Sequence, residues 1–259
     1  MTGETRVALV TGGGAGIGAG VCVRLAAEGY SVVVADVNAE AAQQVAASVS
    51  GVAVTVDVSD LKDNQAMVAA AIRAFGRLDL VVLNAGIRSD QSGGMALDVE
   101  AYRTVNGTNM DGVVFGIDAA LPVLQPGGKI LVVSSLVALR PEEAVPVYAL
   151  TKGAILAYVR AMTAPLAQRG IVIKAICPGY TDTGLLGITG RLLRKQRFPL
   201  LEPDDVAHAV LTVLNQAASG EVWTAVPGRP TERFTFPDAP AALRDDGSEA
   251  EFKPFLASR

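Results

Sequence analysis

Short runs of Val, Ile and Leu alternate along the chain with longer, alanine-rich stretches whose apolar residues recur at helical spacing. The short runs are apolar at nearly every position, which is typical of strands buried on both faces of a parallel sheet. The pattern predicts strands at residues 7–11, 31–36, 52–57, 78–84, 129–134, 171–177 and 221–226. It predicts helices at residues 21–28, 39–48, 61–75, 97–105, 109–124, 146–168 and 203–216.

This alternation predicts an α/β fold, a doubly wound domain with a parallel seven-stranded sheet. No linker or repeat interrupts the rhythm, so we predict one domain over residues 1–228. Residues 183–201 depart from the pattern and are predicted to form a lid over the substrate. Residues 229–259 are predicted to be a C-terminal tail. Its aromatic residues are predicted to dock on this subunit or on a neighbouring one, and these residues are Phe234, Phe236, Phe252 and Phe255.

Composition narrows the class of protein. The 259 residues are 50% hydrophobic, which is ample for one large core. A net charge of −4 with scattered basic residues argues against a nucleic-acid surface. Cys22 and Cys177 lie far apart in apolar surroundings, which predicts reduced thiols and a cytoplasmic protein. His208 is the single histidine, so no multi-histidine metal site is possible. Neither a signal peptide nor a membrane span is expected from the sequence.

Glycines dominate the connection between the first strand and the first helix, where residues 11–18 have the sequence TGGGAGIG. Glycines let the backbone turn tightly and approach a pyrophosphate, which the N-terminus of the next helix favours. The alternative is a turn that only packs the helix on the strand. The strand before and the helix after favour nucleotide binding, and without Gly-Lys-Ser/Thr an ATP-type loop is disfavoured. The expected cofactor contacts in this loop are Gly12, Gly14, Ala15, Gly16, Ile17 and Gly18.

Two aspartates follow the next strands. Asp36 ends the second strand, where a carboxylate accepts hydrogen bonds from the adenosine ribose and repels a 2′-phosphate. Because Val37 and Asn38 are uncharged and the glycine loop has no Arg or Lys, we predict NAD rather than NADP. The alternative role of Asp36 is a helix N-cap. Asp57, at the end of the third strand, is either such a cap or a partner of the adenine amine.

Tyr148 and Lys152 stand four residues apart, so they share one face of a helix, and Ser135 precedes the tyrosine by thirteen residues. A free phenol titrates near ~10, and a neighbouring ammonium lowers its pKa by favouring the phenolate. Oxidising an alcohol requires a proton acceptor at the oxygen and a hydride acceptor at the carbon. A Tyr-x-x-x-Lys pair also occurs by chance on amphipathic helices, so its meaning depends on the other motifs.

The ordered set of motifs resembles the short-chain dehydrogenase/reductase family across residues 5–226. After the glycine loop, the set comprises Asp57-Val58, Asn84-Ala85-Gly86, Asn109, Ser135, Tyr148-x-x-x-Lys152 and Pro178-Gly179. The resemblance implies a Rossmann-type sheet, an NAD-dependent dehydrogenase or ketoreductase, and a homodimer or homotetramer.

The resemblance also implies roles by position. Asn109 would hold a water that relays protons from Lys152, Ser135 would orient the substrate oxygen, and Tyr148 would exchange the proton with it. Lys152 would also bond the nicotinamide ribose. Beyond the glycine loop and Asp36, the implied cofactor-binding residues are Val37, Asp57, Val58, Asn84, Ala85, Gly86, Tyr148, Lys152, Pro178, Gly179, Thr181 and Thr183.

Four positions depart from the family pattern, and none of them removes a proposed catalytic group: Leu83, Ala138, Lys174 and Pro165. Pro165 lies within a predicted helix and is expected to kink it.

The substrate side is less defined by the sequence. Apolar residues at 136–139 and leucines in the lid suggest a hydrophobic secondary alcohol or ketone, although the leucines fit an ordinary core equally well. The basic run at 191–197 fits a solvated helix face better than an anion site, and Arg88 is a candidate for the active-site mouth. The rival functions are an NADP-dependent biosynthetic ketoreductase and a non-catalytic dinucleotide-binding sensor.

Overall fold

A computed structural model describes residues 5–88 and 97–250 of the protein. Within these residues the strands form one eight-stranded sheet in the order β3-β2-β1-β4-β5-β6-β7-β8. Neighbours from β3 to β7 pair in parallel, and β8 is antiparallel to β7. The bounds are β1 Val7–Thr11, β2 Ser31–Asp36, β3 Val52–Thr55, β4 Leu80–Leu83, β5 Lys129–Val133, β6 Val172–Pro178, β7 Val222–Ala225 and β8 Glu232–Phe234. The predicted doubly wound parallel sheet is confirmed, with an added edge strand.

Helices cover both faces of the sheet. Their bounds are α1 Gly16–Ala27, α2 Ala39–Ser48, α3 Leu61–Phe75, α4 Val99–Asn106, α5 Gly112–Ala120, α6 Pro146–Ala167, α7 Gly187–Lys195 and α8 Pro203–Gln216. One apolar cluster joins the sheet to α3, α5 and α6, and a second joins it to α1, α2 and α8. Because both faces are buried, the strands have no polar face, which explains their nearly unbroken apolar sequence.

The two helices predicted at 97–105 and 109–124 are continuous in the structure. A π-helical turn at Gly107–Asp111 joins α4 directly to α5, so the predicted break is wrong. Gly107, at the start of this turn, has a helical backbone. Its missing side chain serves packing, since a Cβ there would lie 3.1 Å from the Cβ of Ser59. The π-turn places Asn109 in the interior.

The edge strand β8 comes from the segment that follows residue 228. Phe234 and Phe236 stack edge to face with ring centroids 5.0 Å apart and pack against the core. The Arg160 guanidinium lies 4.3 Å from the centroid of the Phe236 ring. These aromatics therefore dock on their own subunit, whereas Phe252 and Phe255 lie outside the described residues. Among the described residues, no helix has the length and apolarity needed to cross a membrane.

Lys174, one of the departures from the family pattern, has a structural role in β6. Its buried ammonium donates hydrogen bonds to the main-chain oxygens of Val213 at 3.1 Å and Leu214 at 3.0 Å. These carbonyls lie in the last turn of α8, where the helix dipole favours a cation. Lys174 thus joins an interior strand of the sheet to the end of a covering helix. Pro165 is accommodated as well, because α6 continues through it to Ala167.

We expect Lys174→Met to lower the free energy of unfolding by about 2 kcal/mol, because two buried carbonyls lose a charged donor. Urea titration followed by circular dichroism measures this change. Lys129→Met is the matched control, since the ammonium of Lys129 makes one longer bond of 3.4 Å to the Leu214 oxygen. Equal effects of the two substitutions would contradict the assignment.

Candidate active site

A cleft of about 610 Å³ opens at the carboxyl ends of the parallel strands. The chain reverses its direction of progress across the sheet at β1, which pairs with β2 on one side and β4 on the other. Such a switch point leaves a crevice between the loops that leave the two strands. Most of the residues predicted from the sequence line this cleft. The three that do not are Gly14, Gly18 and Asn109.

The glycine loop forms one wall of the cleft. Gly12 and Gly16 have φ angles of +62° and +51°, which residues with a side chain rarely adopt. Gly18 is required for packing, because a Cβ there would lie 2.0 Å from the main-chain oxygen of Gly12. Ala15 occupies the N-cap position of α1 without a side-chain cap, so the first N–H groups of the helix remain available to an anion. The loop therefore fits a pyrophosphate.

The Asp36 carboxylate stands at the edge of this wall. Its Oδ2 accepts a hydrogen bond from the Gly14 N–H at 2.9 Å, and its Oδ1 accepts one from the Asn38 N–H at 2.9 Å. The N-cap of α2 is Asn38, whose side chain accepts from the Ala41 N–H at 3.1 Å. The alternative interpretation of Asp36 as a helix cap is therefore wrong. The carboxylate is instead held at the cleft by the glycine loop.

Asp57 is positioned in a similar manner at the end of the segment after β3. Its Oδ1 accepts from the Ser59 N–H at 2.9 Å and the Ser59 hydroxyl at 2.7 Å. The N-cap of α3 is Asp60, which accepts from the N–H groups of Lys62 and Asp63. The cap interpretation is wrong here too, and Asp57 lines the cleft beside Val58.

Asn84 and Thr11 hold β1 and β4 together below the cleft. The Asn84 Nδ2 donates to the main-chain oxygens of Thr11 and Gly12 at 3.0 and 3.1 Å. The Thr11 hydroxyl accepts from the N–H groups of Asn84 and Ala85 at 3.0 and 3.1 Å. These four bonds connect the glycine loop to the Asn84-Ala85-Gly86 segment. Thr11 is a site residue whose side-chain role the sequence did not reveal.

Ser135 and Tyr148 both line the cleft. Burial raises the pKa of the Tyr148 phenol to about 12, against the opposing effects of the Ser135 hydroxyl and the charge of Arg88. The neighbouring Ser134 is turned away, since its buried hydroxyl donates to the Lys152 main-chain oxygen at 2.9 Å. The structure thus places Ser135, not Ser134, beside the phenol.

Lys152 is buried beneath the tyrosine. Its ammonium lies 5.6 Å from the centroid of the Tyr148 ring and donates to the Val133 main-chain oxygen at 3.0 Å. Burial lowers the pKa of Lys152 to about 8. The sequence predicted that this lysine lowers the pKa of the phenol. In this geometry burial has the larger effect, and Arg88 is a cation that lowers the pKa of Tyr148.

Asn109 lies behind the cleft in the π-turn. Its Oδ1 accepts from the Ile87 N–H at 2.8 Å, and its Nδ2 donates to the Ile87 oxygen at 2.9 Å and the Thr151 hydroxyl at 3.0 Å. The pair of bonds to Ile87 fixes the loop that carries Gly86. A Cβ on Gly86 would lie 3.2 Å from the Lys152 Nζ and 3.4 Å from the Asn109 Oδ1. Gly86 therefore keeps a small space open between these two polar groups.

The opposite wall follows β6. Thr181 is buried, and its hydroxyl donates to the Gly179 main-chain oxygen at 3.1 Å. The Thr183 side chain reaches the glycine loop, because a Cβ on Gly16 would lie 3.1 Å from its methyl group. Pro178 and Gly179 line the cleft between these contacts and the tyrosine.

The predicted lid contains a short 3₁₀ turn at Gly184–Leu186, followed by α7. Leu185 and Leu186 line the cleft, whereas Leu192 is 54% exposed, so the leucines of this segment do not share one environment. In the basic run, Arg194 forms an ion pair with Asp182. Arg191 and Lys195 are exposed, which agrees with a solvated helix face.

Polar residues stand at the mouth of the cleft. An Arg88 Nη atom donates to the Thr189 hydroxyl of α7 at 2.7 Å, which joins the loop after β4 to the lid. The Tyr180 hydroxyl donates to the Glu142 carboxylate at 2.5 Å, and this bond spans the other side of the mouth. The sequence suggested Arg88 from its position but contained no signal for the Tyr180–Glu142 pair.

Comparison with known proteins identifies the family. The family model for short chain dehydrogenases matches residues 6–190, and the chain belongs to this family. The family comprises oxidoreductases that bind a nicotinamide dinucleotide and act on small molecules. Among curated relatives, the cyclohexanol dehydrogenase of Acinetobacter sp. (strain SE19) is 31% identical over 226 residues, which cover 83% of this chain and 90% of the relative.

Solved structures agree with this assignment. One is the 3-ketoacyl-(acyl-carrier-protein) reductase of Brucella melitensis, complexed with NADH, which is 31% identical in sequence with a TM-score of 0.79. The alignment covers 87% of this chain and 98% of the reductase chain. Another is a short chain dehydrogenase of Burkholderia cenocepacia in complex with NADP, which is 30% identical in sequence with a TM-score of 0.78. The alignment covers 86% of this chain and 96% of that dehydrogenase chain. Relatives therefore bind either dinucleotide.

We expect Gly86→Ala to weaken NADH binding by about tenfold, because the methyl group displaces the Lys152 ammonium by several tenths of an ångström. Quenching or enhancement of NADH fluorescence on titration measures the dissociation constant. Gly153→Ala is the matched control: this glycine follows Lys152 in α6, and a Cβ there meets nothing within 4 Å. Unchanged NADH affinity in Gly86→Ala would show that the space is not needed.

Proposed function

We propose that this protein transfers a hydride between NAD and a hydrophobic secondary alcohol or ketone, with Tyr148 as the acid and base. The observation that carries the proposal is that Ser135, Tyr148 and the buried Lys152 line the same cleft as Asp36, with the Lys152 ammonium 5.6 Å from the centroid of the Tyr148 ring. An alcohol oxygen placed between the Ser135 and Tyr148 hydroxyls has both a donor and a proton-exchange partner.

The pKa directions suit this role. At neutral pH the buried phenol is protonated, so Tyr148 can donate its proton to a carbonyl that is being reduced. In the reverse direction the phenolate must form first, and positive charge from Arg88 and Lys152 stabilises it. When bound, the nicotinamide supplies the hydride acceptor or donor and, in its oxidised form, a further positive charge. Asn109 Oδ1 and Lys152 Nζ, on either side of Gly86, are the groups that we assign to the relay of the proton away from the tyrosine.

The cofactor-binding assignment follows the same cleft. The glycine loop and the N-terminus of α1 fit the pyrophosphate, and Asp57 with Val58 fits the adenine. Lys152 would hold the nicotinamide ribose, and Pro178-Gly179 with Thr181 and Thr183 would position the carboxamide.

The preference for NAD rests on Asp36. Its carboxylate is held at the cleft by two main-chain N–H groups, so it cannot move away from a 2′-phosphate without breaking them. The basic side chains among the described residues that line the cleft are Arg88, Arg140 and Lys152. All three lie at the other end, near Tyr148 and Tyr180. No described lining cation is therefore available to a 2′-phosphate beside Asp36.

The substrate class rests on the apolar wall beside the tyrosine. Leu136, Val137, Val145, Leu185 and Leu186 line the cleft there. Burying apolar substrate surface against such a wall is favourable by roughly 25 cal/mol per Å². A relative named for cyclohexanol, a hydrophobic secondary alcohol, supports the same class. From the family resemblance we also expect a homodimer or homotetramer, which sedimentation equilibrium measures.

We expect Tyr148→Phe to lower kcat by at least about a thousandfold with every substrate that the wild type oxidises, because proton exchange is lost. The first step is a screen of cyclic and aliphatic alcohols, hydroxysteroids, polyols and hydroxy acids, following NADH absorbance. Tyr158→Phe, on the same helix outside the cleft lining, is the control and keeps full activity. Unchanged turnover in Tyr148→Phe would show that Tyr148 is not the acid and base, whereas a wild type that oxidises no alcohol in the screen would favour the non-catalytic sensor.

Asp36→Ser tests the choice of cofactor. We expect NADP affinity to rise by at least about tenfold and NAD affinity to fall, because repulsion of the 2′-phosphate and the ribose bonds are both removed. Isothermal titration with NAD and NADP measures both constants. Glu40→Gln, an exposed acid in the first turn of α2, controls for net charge. Tight NADP binding by the wild type would instead support the NADP-dependent ketoreductase.

A further inference from the structure

Thr151 lies between the two residues of the Tyr148/Lys152 pair and is completely buried. It follows Tyr148 by three positions and therefore shares its side of α6. A β-branched, polar residue is a poor choice for a buried helix interior unless its hydroxyl is bonded. The sequence motif assigned no role to it.

The hydroxyl of Thr151 is bonded in two directions. It donates to the Tyr148 main-chain oxygen at 2.8 Å and accepts from the Asn109 Nδ2 at 3.0 Å. A hydroxyl has a single proton to donate, so the donor is committed to Tyr148 and the Asn109 bond uses a lone pair. Asn109 is bonded in turn to both polar groups of the Ile87 main chain. Thr151 therefore links α6, the π-turn and the Gly86–Ile87 loop.

A threonine that bonds the carbonyl one turn earlier is common in helices and by itself indicates no function. Thr104, Thr163 and Thr212 each make such a bond, to the oxygens of the residues four positions before them. Within the described part of the chain, Thr151 is the one among these four that also accepts a bond from a side chain of another element. That second bond distinguishes its arrangement from ordinary helix packing.

The first turn of α6 has few other anchors near the tyrosine. Val145, at the N-cap position, makes no side-chain cap bond, and Pro146 occupies the first helical position. Lys152 is fixed on the side of β5, through its ammonium to the Val133 oxygen and through its own oxygen to Ser134. Thr151 supplies the corresponding connection on the side of Asn109.

We propose that Thr151 is a positioning residue for the proton-exchange site: it fixes the backbone of Tyr148 and the orientation of the Asn109 amide relative to Lys152. This inference rests on the proposed function for its catalytic consequence. Without the hydroxyl, the Asn109 amide keeps its two bonds to Ile87 but loses its bond to α6, so the amide and Tyr148 are no longer held in one position relative to each other. The Lys152 ammonium is then less well stabilised beside Asn109. Because a nearby positive charge favours the phenolate, the pKa of Tyr148 rises.

The test compares Thr151→Val, which keeps the shape and removes the hydroxyl, with Thr151→Ser, which keeps the hydroxyl. We expect Thr151→Val to lower kcat by about tenfold while the KM values for NAD and alcohol change by less than about twofold. We also expect the rise of kcat with pH to shift to higher pH, so that the loss is smaller in alkaline buffer. Thr151→Ser should restore both kcat and the pH at which kcat rises.

Two controls separate positioning from general destabilisation. Thr163→Val removes a back-bonding hydroxyl from the same helix, at a residue outside the cleft lining, and should leave kcat and its pH profile unchanged. Thr151→Val in an Asn109→Ala background should cause little further loss, because the two groups act as one unit. Additive losses, or equal effects of Thr151→Val and Thr163→Val, would overturn the proposal.

A second measurement does not depend on turnover. Tyrosinate absorbance is measured in the presence of NAD for each protein and for its Tyr148→Phe counterpart. The difference between the two reports the ionisation of Tyr148 alone. We expect this ionisation to occur at higher pH in Thr151→Val and to return in Thr151→Ser. If the wild type oxidises no alcohol but this shift occurs, the proposed function fails and the positioning role stands. If the wild type is active and Thr151→Val resembles it in rate and ionisation, the positioning role alone fails.

Discussion

The hydrogen bonds between Thr11 and Asn84 are the constraint on which the cleft depends. They connect the ends of β1 and β4, the two strands between which the parallel sheet changes its direction of progress. The glycine loop leaves from β1 and the Asn84-Ala85-Gly86 segment leaves from β4, so these bonds set the distance between the two halves of the site. The remaining loops at the carboxyl ends of the strands are arranged around this junction.

From that junction the polar groups of the site form one connected system. Asn109 bonds the loop after β4 at Ile87, and Thr151 joins Asn109 to the helix of Tyr148 and Lys152. Lys152 continues the connection to β5 through Val133. In a low-dielectric interior each buried polar group must be bonded, so the requirement for satisfied hydrogen bonds itself holds the reacting groups in place. Stability and positioning have the same physical origin here.

The pKa values show how burial and charge oppose each other at this site. Burial raises the pKa of Tyr148 to about 12 and lowers that of Lys152 to about 8, so burial shifts both groups toward their neutral forms. Positive charge near the phenol acts in the opposite direction, and Arg88 supplies part of it from the mouth of the cleft. Arg88 also bonds Thr189 of the lid, so the lid and the electrostatics of the tyrosine are connected through one side chain.

Local patterns in the sequence determined the α/β alternation, the parallel strands and the glycine loop, because each depends on periodicity or on residue types at short spacing. The resemblance to the family, carried by the ordered motifs, supplied most of the other predicted residues that line the cleft. The roles of Asp36 and Asp57 needed the structure, since only the positions of Asn38 and Asp60 show which residues cap the helices. The continuous helix through Gly107, the ammonium of Lys174 on the end of α8 and the edge strand β8 also arise from contacts between distant segments. The same holds for the Tyr180–Glu142 bond and for Thr151, whose partner lies 42 positions earlier in the chain. Sequence spacing describes neighbours along one element, whereas packing decides which elements meet.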